Sequence, residues 1–260
     1  MPRIKLTLEY DGTRYVGWQV QPNGVSVQAV VEEALEKLLG KKTPVVVAGR
    51  TDSGVHARGQ VIAFDAAQQL PPRAYTQGLT GLLPEDVAVV GFEEVPDAFD
   101  PRRWAKGKRY VYRISNRPLR SPLRRLTHWE LFQPLDLAAM REAAVHLVGE
   151  HDFSSFRASN CEAAHPNRKL TQAEVGGAAG DEVTLTFEGT AFLKHMVRNM
   201  TGTLVEVGRG KQPPQWVKQV LDAKDRTLAG QTAPAHGLTL EEVMMGTGPH
   251  SKIERDDDDE

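Results

Sequence analysis

Ile4, Leu6, Leu8 and Tyr10 alternate with Lys5, Thr7 and Glu9, the period of a strand with one buried face. A polar segment from Asp11 to Gly24 ends the alternation. Ser26 then stands as a helix cap before Val27, Val30, Val31, Ala34, Leu35 and Leu38, which recur at helical spacing until Gly40. Two short β-branched runs, Val45 to Ala48 and Gln60 to Phe64, predict strands on either side of a polar insert. A helical stretch opened by proline spans Pro71 to Leu83, and another strand spans Val87 to Phe92. The first half therefore reads strand, helix, strand, strand, helix, strand.

Periodicity fades between Pro96 and Gly107 and returns in a strand from Arg109 to Ser115, where Tyr110, Tyr112 and Ile114 share a face. A helix is predicted from Asp136 to Val148, then strands at Thr171 to Val175 and Val183 to Phe187, separated by the turn GGAAGD. The helix expected from Ala191 to Val207 carries Phe192, Met196, Met200 and Thr203 on one side, with Val197, Leu204 and Val207 nearby. The halves show no convincing sequence repeat, yet their elements follow a comparable order. Uneven strand spacing and a tight turn favour antiparallel pairing. The expected fold class is α+β: two similar lobes, residues 1–100 and 101–248, sharing a mostly antiparallel sheet, with an acidic, disordered tail at 249–260.

Composition, at 40% hydrophobic and 25% charged over 260 residues, is that of an ordinary soluble globular protein. No apolar run is long enough to span a bilayer and the amino terminus lacks a signal peptide's hydrophobic region, so a cytoplasmic protein is expected. The single Cys161 excludes an internal disulfide and a multi-thiolate zinc site. The net charge of −2 hides an uneven distribution, because the last ten residues carry six acids and two bases and leave the remainder at +2. Arg102, Arg103, Lys106, Lys108, Arg109, Arg113, Arg117, Arg120, Arg124 and Arg125 form a block of ten cations without an acid. Such a block suits phosphates; a solvated basic face or a patch for an acidic partner is the alternative. Trp104, Tyr110, Tyr112 and Trp129 lie among or just beyond the charges, offering rings on which bases of looped RNA could stack.

The insert GRTDSGVHARG, residues 49–59, places Asp52 on a loop held by two strands. An aspartate between Thr and Ser and two before Gly is also an ordinary turn former. No phosphate-binding loop, dinucleotide fingerprint, zinc-protease motif or serine-hydrolase elbow accompanies it. The eight histidines have no metal-ligand spacing, and His56 reads as a hydrogen-bonding loop residue. A lone carboxylate kept ionised by nearby cations remains, suited to nucleophile or base rather than acid.

These residues recur within longer blocks. GRTDSGVHARGQ (49–60), EYDGTRYVGWQVQP (9–22), SVQ (26–28), KRYVYRI (108–114), HDFSSFRA (151–158), FLKHMVRNMTGTL (192–204) and AKDRTLAG (223–230) together resemble the tRNA pseudouridine synthases of the TruA type. The resemblance implies an enzyme that detaches uracil from its ribose, rotates it and rejoins it through C5, in the anticodon stem-loop of tRNA. It implies the pseudouridine synthase fold with a catalytic cleft between lobes, a homodimer, and neither metal nor organic cofactor. Asp52 matches the essential aspartate, which traps the sugar at C1′ or removes the 2′ proton. Tyr110 matches the tyrosine on the target base, Arg198 the arginine paired with the aspartate, Arg50 the arginine that helps flip the uridine, and Leu238 an apolar residue packed on uracil. The nearest cations of the block, Arg102, Arg103, Lys106, Lys108 and Arg109, are the expected tRNA contacts.

Ser53 departs from the family's usual Ala, and Gln68, Gln69 and Leu70 stand where some relatives carry a further tRNA-contacting arginine. Two other function classes stay open to the residues alone: a noncatalytic tRNA-binding or folding module, and an aspartate-based nucleoside hydrolase.

Overall fold

The alternation at the amino terminus becomes β1 (Arg3–Tyr10), whose Ile4, Leu6, Leu8 and Tyr10 are buried while Lys5 and Thr7 are partly exposed and Glu9 is exposed. The computed structural model describes residues 1–249, so the acidic tail expected from 249 lies, after its first position, outside the described residues. The chain divides into two units, one made of Met1–Lys106 and the segment starting at Thr239, the other of Gly107–Leu238.

In the first unit, Ser26 Oγ accepts from the Ala29 amide at 3.2 Å and Gly40 closes α1 (Val27–Leu39) in the left-handed conformation at φ 69°. Both ends are those the sequence predicts. The chain continues through the short strand β2 (Val46–Val47) to β3 (His56–Asp65). Residues 71–83 contain a widened π turn, Ala74–Gly78, followed by the short helix α2 (Leu79–Leu82). Tyr75, on the π turn, is buried against Phe92 with ring centroids 5.3 Å apart. β4 (Val87–Val95) follows. β1 lies between β3 and β4 and is antiparallel to both; β2 is antiparallel to β3.

After α3 (Pro101–Trp104), capped by Asp100, comes β5 (Ala105–Ser115), within which the first unit gives way to the second. β6 (Trp129–Glu130) runs parallel to β5, and α4 (Leu137–Val145), β7 (Gly149–Asp152), β8 (Asn167–Gly177) and β9 (Glu182–Gly189) follow. β5, β9, β8 and β7 pair antiparallel in that order. α5 (Met196–Gly208) begins five residues after the predicted start, because His195 adopts φ 62° and the residues before it form a turn. Its Met196, Val197, Met200 and Leu204 are buried, as the sequence pattern requires.

Five elements escape the sequence reading, the short α3 and β6 among them. β7 has only four residues, and α6 (Trp216–Ala223) has eight, with Val217, Val220 and Leu221 buried. β10 (Leu238–Met245) returns to the first unit and pairs parallel with β3, Thr239 opposite His56. Most pairings are antiparallel, in keeping with the expected α+β class. Among the described residues no helix is long and apolar enough to cross a membrane.

Candidate active site

Asp52 sits on the loop between β2 and β3, and the chain holds this loop from three sides. Gln60, fully buried on β3, donates from Nε2 to the Gly49 carbonyl at 2.8 Å. The Tyr10 hydroxyl, at the end of β1, meets Thr51 Oγ1 at 2.8 Å. Burial pushes the Tyr10 pKa up to about 12, outweighing its bonds with Thr51 and Gln60, so the phenol is a neutral brace. The segment after β1 supplies the third side. Trp18 donates its amide to the Thr51 carbonyl at 3.1 Å, and Gly17 bridges Asp52 through the backbone. The Tyr15 carbonyl accepts from Ser53 Oγ at 3.2 Å and from the Gly54 amide at 3.3 Å.

Gly17 is irreplaceable here on two counts: φ is 109°, and a Cβ would stand 2.7 Å from the Thr51 carbonyl oxygen. Tyr15 is itself anchored, since its buried phenol donates to Asp86 Oδ1. Burial first, and then the Asp86 carboxylate, raise its pKa. Asp86 Oδ2 is buried without a hydrogen bond and faces the Arg14 guanidinium at 3.5 Å, an ion-pair distance with little hydrogen-bond character.

His56 closes the far end. Its Nδ1 accepts from the Gly12 amide at 3.0 Å, which places the proton of the neutral ring on Nε2. The same nitrogen lies 3.1 Å from Asp11 Oδ1. Asp52 remains partly exposed and Arg50 exposed at the surface of this braced loop. The turn-former reading of Asp52 is met in part, as its carbonyl accepts from Val55 at 3.1 Å.

In the second unit, Arg198 on α5 donates from Nε to the Ala233 carbonyl at 2.8 Å, and Ala233 returns its amide to the Arg198 carbonyl at 3.1 Å. The next residue on the helix, Asn199, is fully buried and clips the same segment. Its Oδ1 accepts from Thr232 Oγ1 at 2.6 Å and Arg226 at 3.1 Å, while Nδ2 donates to the Phe156 carbonyl at 2.7 Å. Gly202 and Gly230 allow the backbones to touch: a Cβ on Gly202 would lie 1.7 Å from the Gln231 oxygen. The segment thus leads in fixed geometry to Leu238, which is buried. Tyr110 is 7% exposed, its ring edge-on to Phe192 at 5.1 Å.

The basic block is less uniform than its sequence. Arg102, Arg103 and Lys106 belong to the first unit and the others to the second. Arg109 pairs with Glu188, and Arg124 with Asp181 at 3.0 Å and Glu182 at 3.7 Å. The acids come from β9 and the turn before it, distant in sequence. Tyr112 is not a stacking surface: it is fully buried and donates to the Pro234 carbonyl at 2.7 Å. Asp52, Arg50, Arg102, Arg103 and Lys106 lie in the first unit, and Lys108, Arg109, Tyr110, Arg198 and Leu238 in the second.

The sequence profile of the family described as tRNA pseudouridine synthase matches residues 7–102 and 143–244. The chain belongs to this family. The tRNA pseudouridine synthase A of Myxococcus xanthus is 62% identical over 252 residues, 97% of this chain and 95% of that protein. Its counterpart in Geobacter sulfurreducens is 50% identical over 94% of this chain and its own full length. That of Pelobacter propionicus is 49% identical over 94% of this chain and 99% of its own length. Like the rest of this family, the protein is an isomerase that converts uridine to pseudouridine in tRNA.

Sequence reading missed Tyr10, Tyr15, Gln60, Asn199 and Arg226. A signal existed for Gln60, a polar residue at the head of the apolar run QVIAF, and for Asn199, an amide inside an otherwise apolar helix face.

Proposed function

We propose that this isomerase acts on uridines of the tRNA anticodon stem-loop with Asp52 as its catalytic carboxylate. The observation that carries the reading is the contrast between the loop and the side chain. The backbone of residues 49–54 is bonded to Gln60, Tyr15, Gly17 and Trp18, and the Thr51 hydroxyl to Tyr10, while Asp52 itself stays partly exposed. A carboxylate held at a fixed place on the surface is preorganised to meet one sugar carbon. It either bonds to C1′ as uracil leaves or takes the 2′ proton to give a glycal.

Tyr110 then lies on the base and takes part in the C5 proton step, Arg198 pairs with Asp52, Arg50 assists extrusion of the uridine, and Leu238 packs on the uracil. Extrusion costs a few kcal/mol, on the order usual for flipped bases. Arg102, Arg103, Lys106, Lys108 and Arg109 hold tRNA phosphates, Arg109 while sharing its charge with Glu188. The catalytic loop belongs to the first unit, and the phosphate-holding cations are divided, Arg102, Arg103 and Lys106 in the first unit and Lys108 and Arg109 in the second; the enzyme works as a cytoplasmic homodimer that needs no cofactor or metal.

The test uses tRNA tritiated at uridine C5. Wild type releases tritium, and Asp52→Asn binds the tRNA but releases none. Tritium release that survives the substitution refutes the assignment, and mapping of modified positions outside the anticodon arm refutes the substrate reading.

A further inference from the structure

A recess of about 120 Å³ opens in the first unit beside the Asp52 loop. Trp18, Val45 and Val47 give its apolar lining, Gln19 and Gln28 bring amides, and Arg50 and Arg102 bring charge. No carboxylate lines it. Glu32, the acid behind Gln28, is engaged: its Oε1 accepts from Gln28 Nε2 at 2.9 Å and from the Val45 amide at 3.1 Å. Gln28 is fixed at its other end too, accepting from the Val20 amide at 3.3 Å.

The cations are mounted on held backbone. Arg50 follows Gly49, which Gln60 clamps, and Arg102 lies in a turn whose amides at 102 and 103 are bonded to Asp100 Oδ1 at 2.9 and 3.2 Å. Only Thr51 separates Arg50 from Asp52, so at most about 7 Å of chain lies between them. Whatever occupies the recess therefore lies next to the reacting nucleotide.

The lining selects among the parts of an RNA strand. Trp18 is only 2% exposed, so it offers no ring face on which a base could stack. Paired guanidiniums with amides at their side suit a phosphodiester, which accepts forked hydrogen bonds through two oxygens. Resting on the reading of Asp52 as catalytic carboxylate, we propose that this recess seats one backbone phosphate flanking the target uridine, gripped chiefly by Arg102. Its work is positional: it fixes the strand on one side of the extruded nucleotide and reads no base.

The experiment pairs protein and phosphate substitutions. Stem-loop RNAs carry one uncharged methylphosphonate at successive linkages around the target, each compared with the same 2′-deoxy residue bearing an ordinary phosphate. Wild type, Arg102→Gln and Arg102→Lys are compared by binding, KM and kcat. Arg102→Gln should raise KM about tenfold, keep kcat within about twofold, and lower the salt slope of binding by about one. One linkage whose neutralisation weakens wild-type binding about tenfold should cost Arg102→Gln nothing further, the mark of a shared contact. Arg102→Lys should recover part of the KM.

Equal sensitivity of wild type and Arg102→Gln at every linkage overturns the proposal, as does a fall in kcat with KM unchanged. Failure of the catalytic reading looks different. Asp52→Asn would then release tritium like wild type, while the binding measurements with neutralised linkages still decide the recess.

Discussion

Gln60→Met removes an amide while nearly keeping the side chain's volume, and it isolates what the clamp on Gly49 contributes. The native Nε2 donates to the Gly49 carbonyl at 2.8 Å, and Oε1 accepts from the Val61 amide at 3.2 Å, in a position with no solvent exposure. Met leaves the Gly49 carbonyl without this donor, and a buried acceptor that loses its partner costs about 1–3 kcal/mol. Burying a thioether in place of an amide returns part of that, so a net loss of about 2 kcal/mol is expected. With a urea slope of about 2 kcal/mol per molar, the unfolding midpoint falls by roughly 1 M.

The effect on rate follows from position, because Gly49 is three residues before Asp52. A displacement of about 1 Å in a reacting group lowers the rate by up to about 10²-fold, and the fall should appear in kcat under single-turnover conditions with tritiated tRNA. Binding should hardly change. A variant with the wild-type midpoint and rate refutes the reasoning outright. A lowered midpoint with a wild-type rate assigns the clamp to stability and not to aim.

Two further outcomes are expected. Gly202→Ala places a Cβ 1.7 Å from the Gln231 backbone oxygen, so α5 and the segment carrying Ala233 must part. Thermal unfolding should show a loss of about 1–3 kcal/mol together with weakened turnover through Arg198, and a variant as stable and active as wild type would contradict the packing argument. His128 is buried, and burial holds its pKa below the ordinary imidazole value although Glu182, at 3.3 Å, pulls the other way. The folded state then binds fewer protons than the unfolded chain, so this stability is intact above the ordinary imidazole pKa and is lost as pH falls through it toward the folded value. His128→Asn should lose less stability than wild type between about pH 7.5 and about pH 5.5 in urea titrations, and parallel pH profiles would rule the effect out.

Local chemistry made much of this fold readable along the chain. The strand at β1 and the helix α1, with Ser26 and Gly40 at its ends, follow from period and capping, because each depends on residues a few positions apart. The start of α5 was misplaced for the opposite reason: Phe192 and Leu193 keep apolar character through a turn that only His195's backbone reveals. β10 was invisible because its definition lies in a partner, β3, nearly two hundred residues earlier.

The same division runs through the candidate site. Sequence alone determined that an aspartate stands on a loop between strands, that cations cluster after residue 101, and, through seven ordered blocks, which family the chain resembles. Tertiary structure decided what holds the loop: Tyr15 and Gly17 brace Asp52 from the polar segment, and Gln60 and Tyr10 reach it from two strands. It also decided that Arg109 and Arg124 share their charge with acids from β9 and its preceding turn. A side chain's type and its neighbours in sequence are written in one dimension, whereas its hydrogen-bond partners are set by which strands meet, and that is fixed only when the apolar faces bury together.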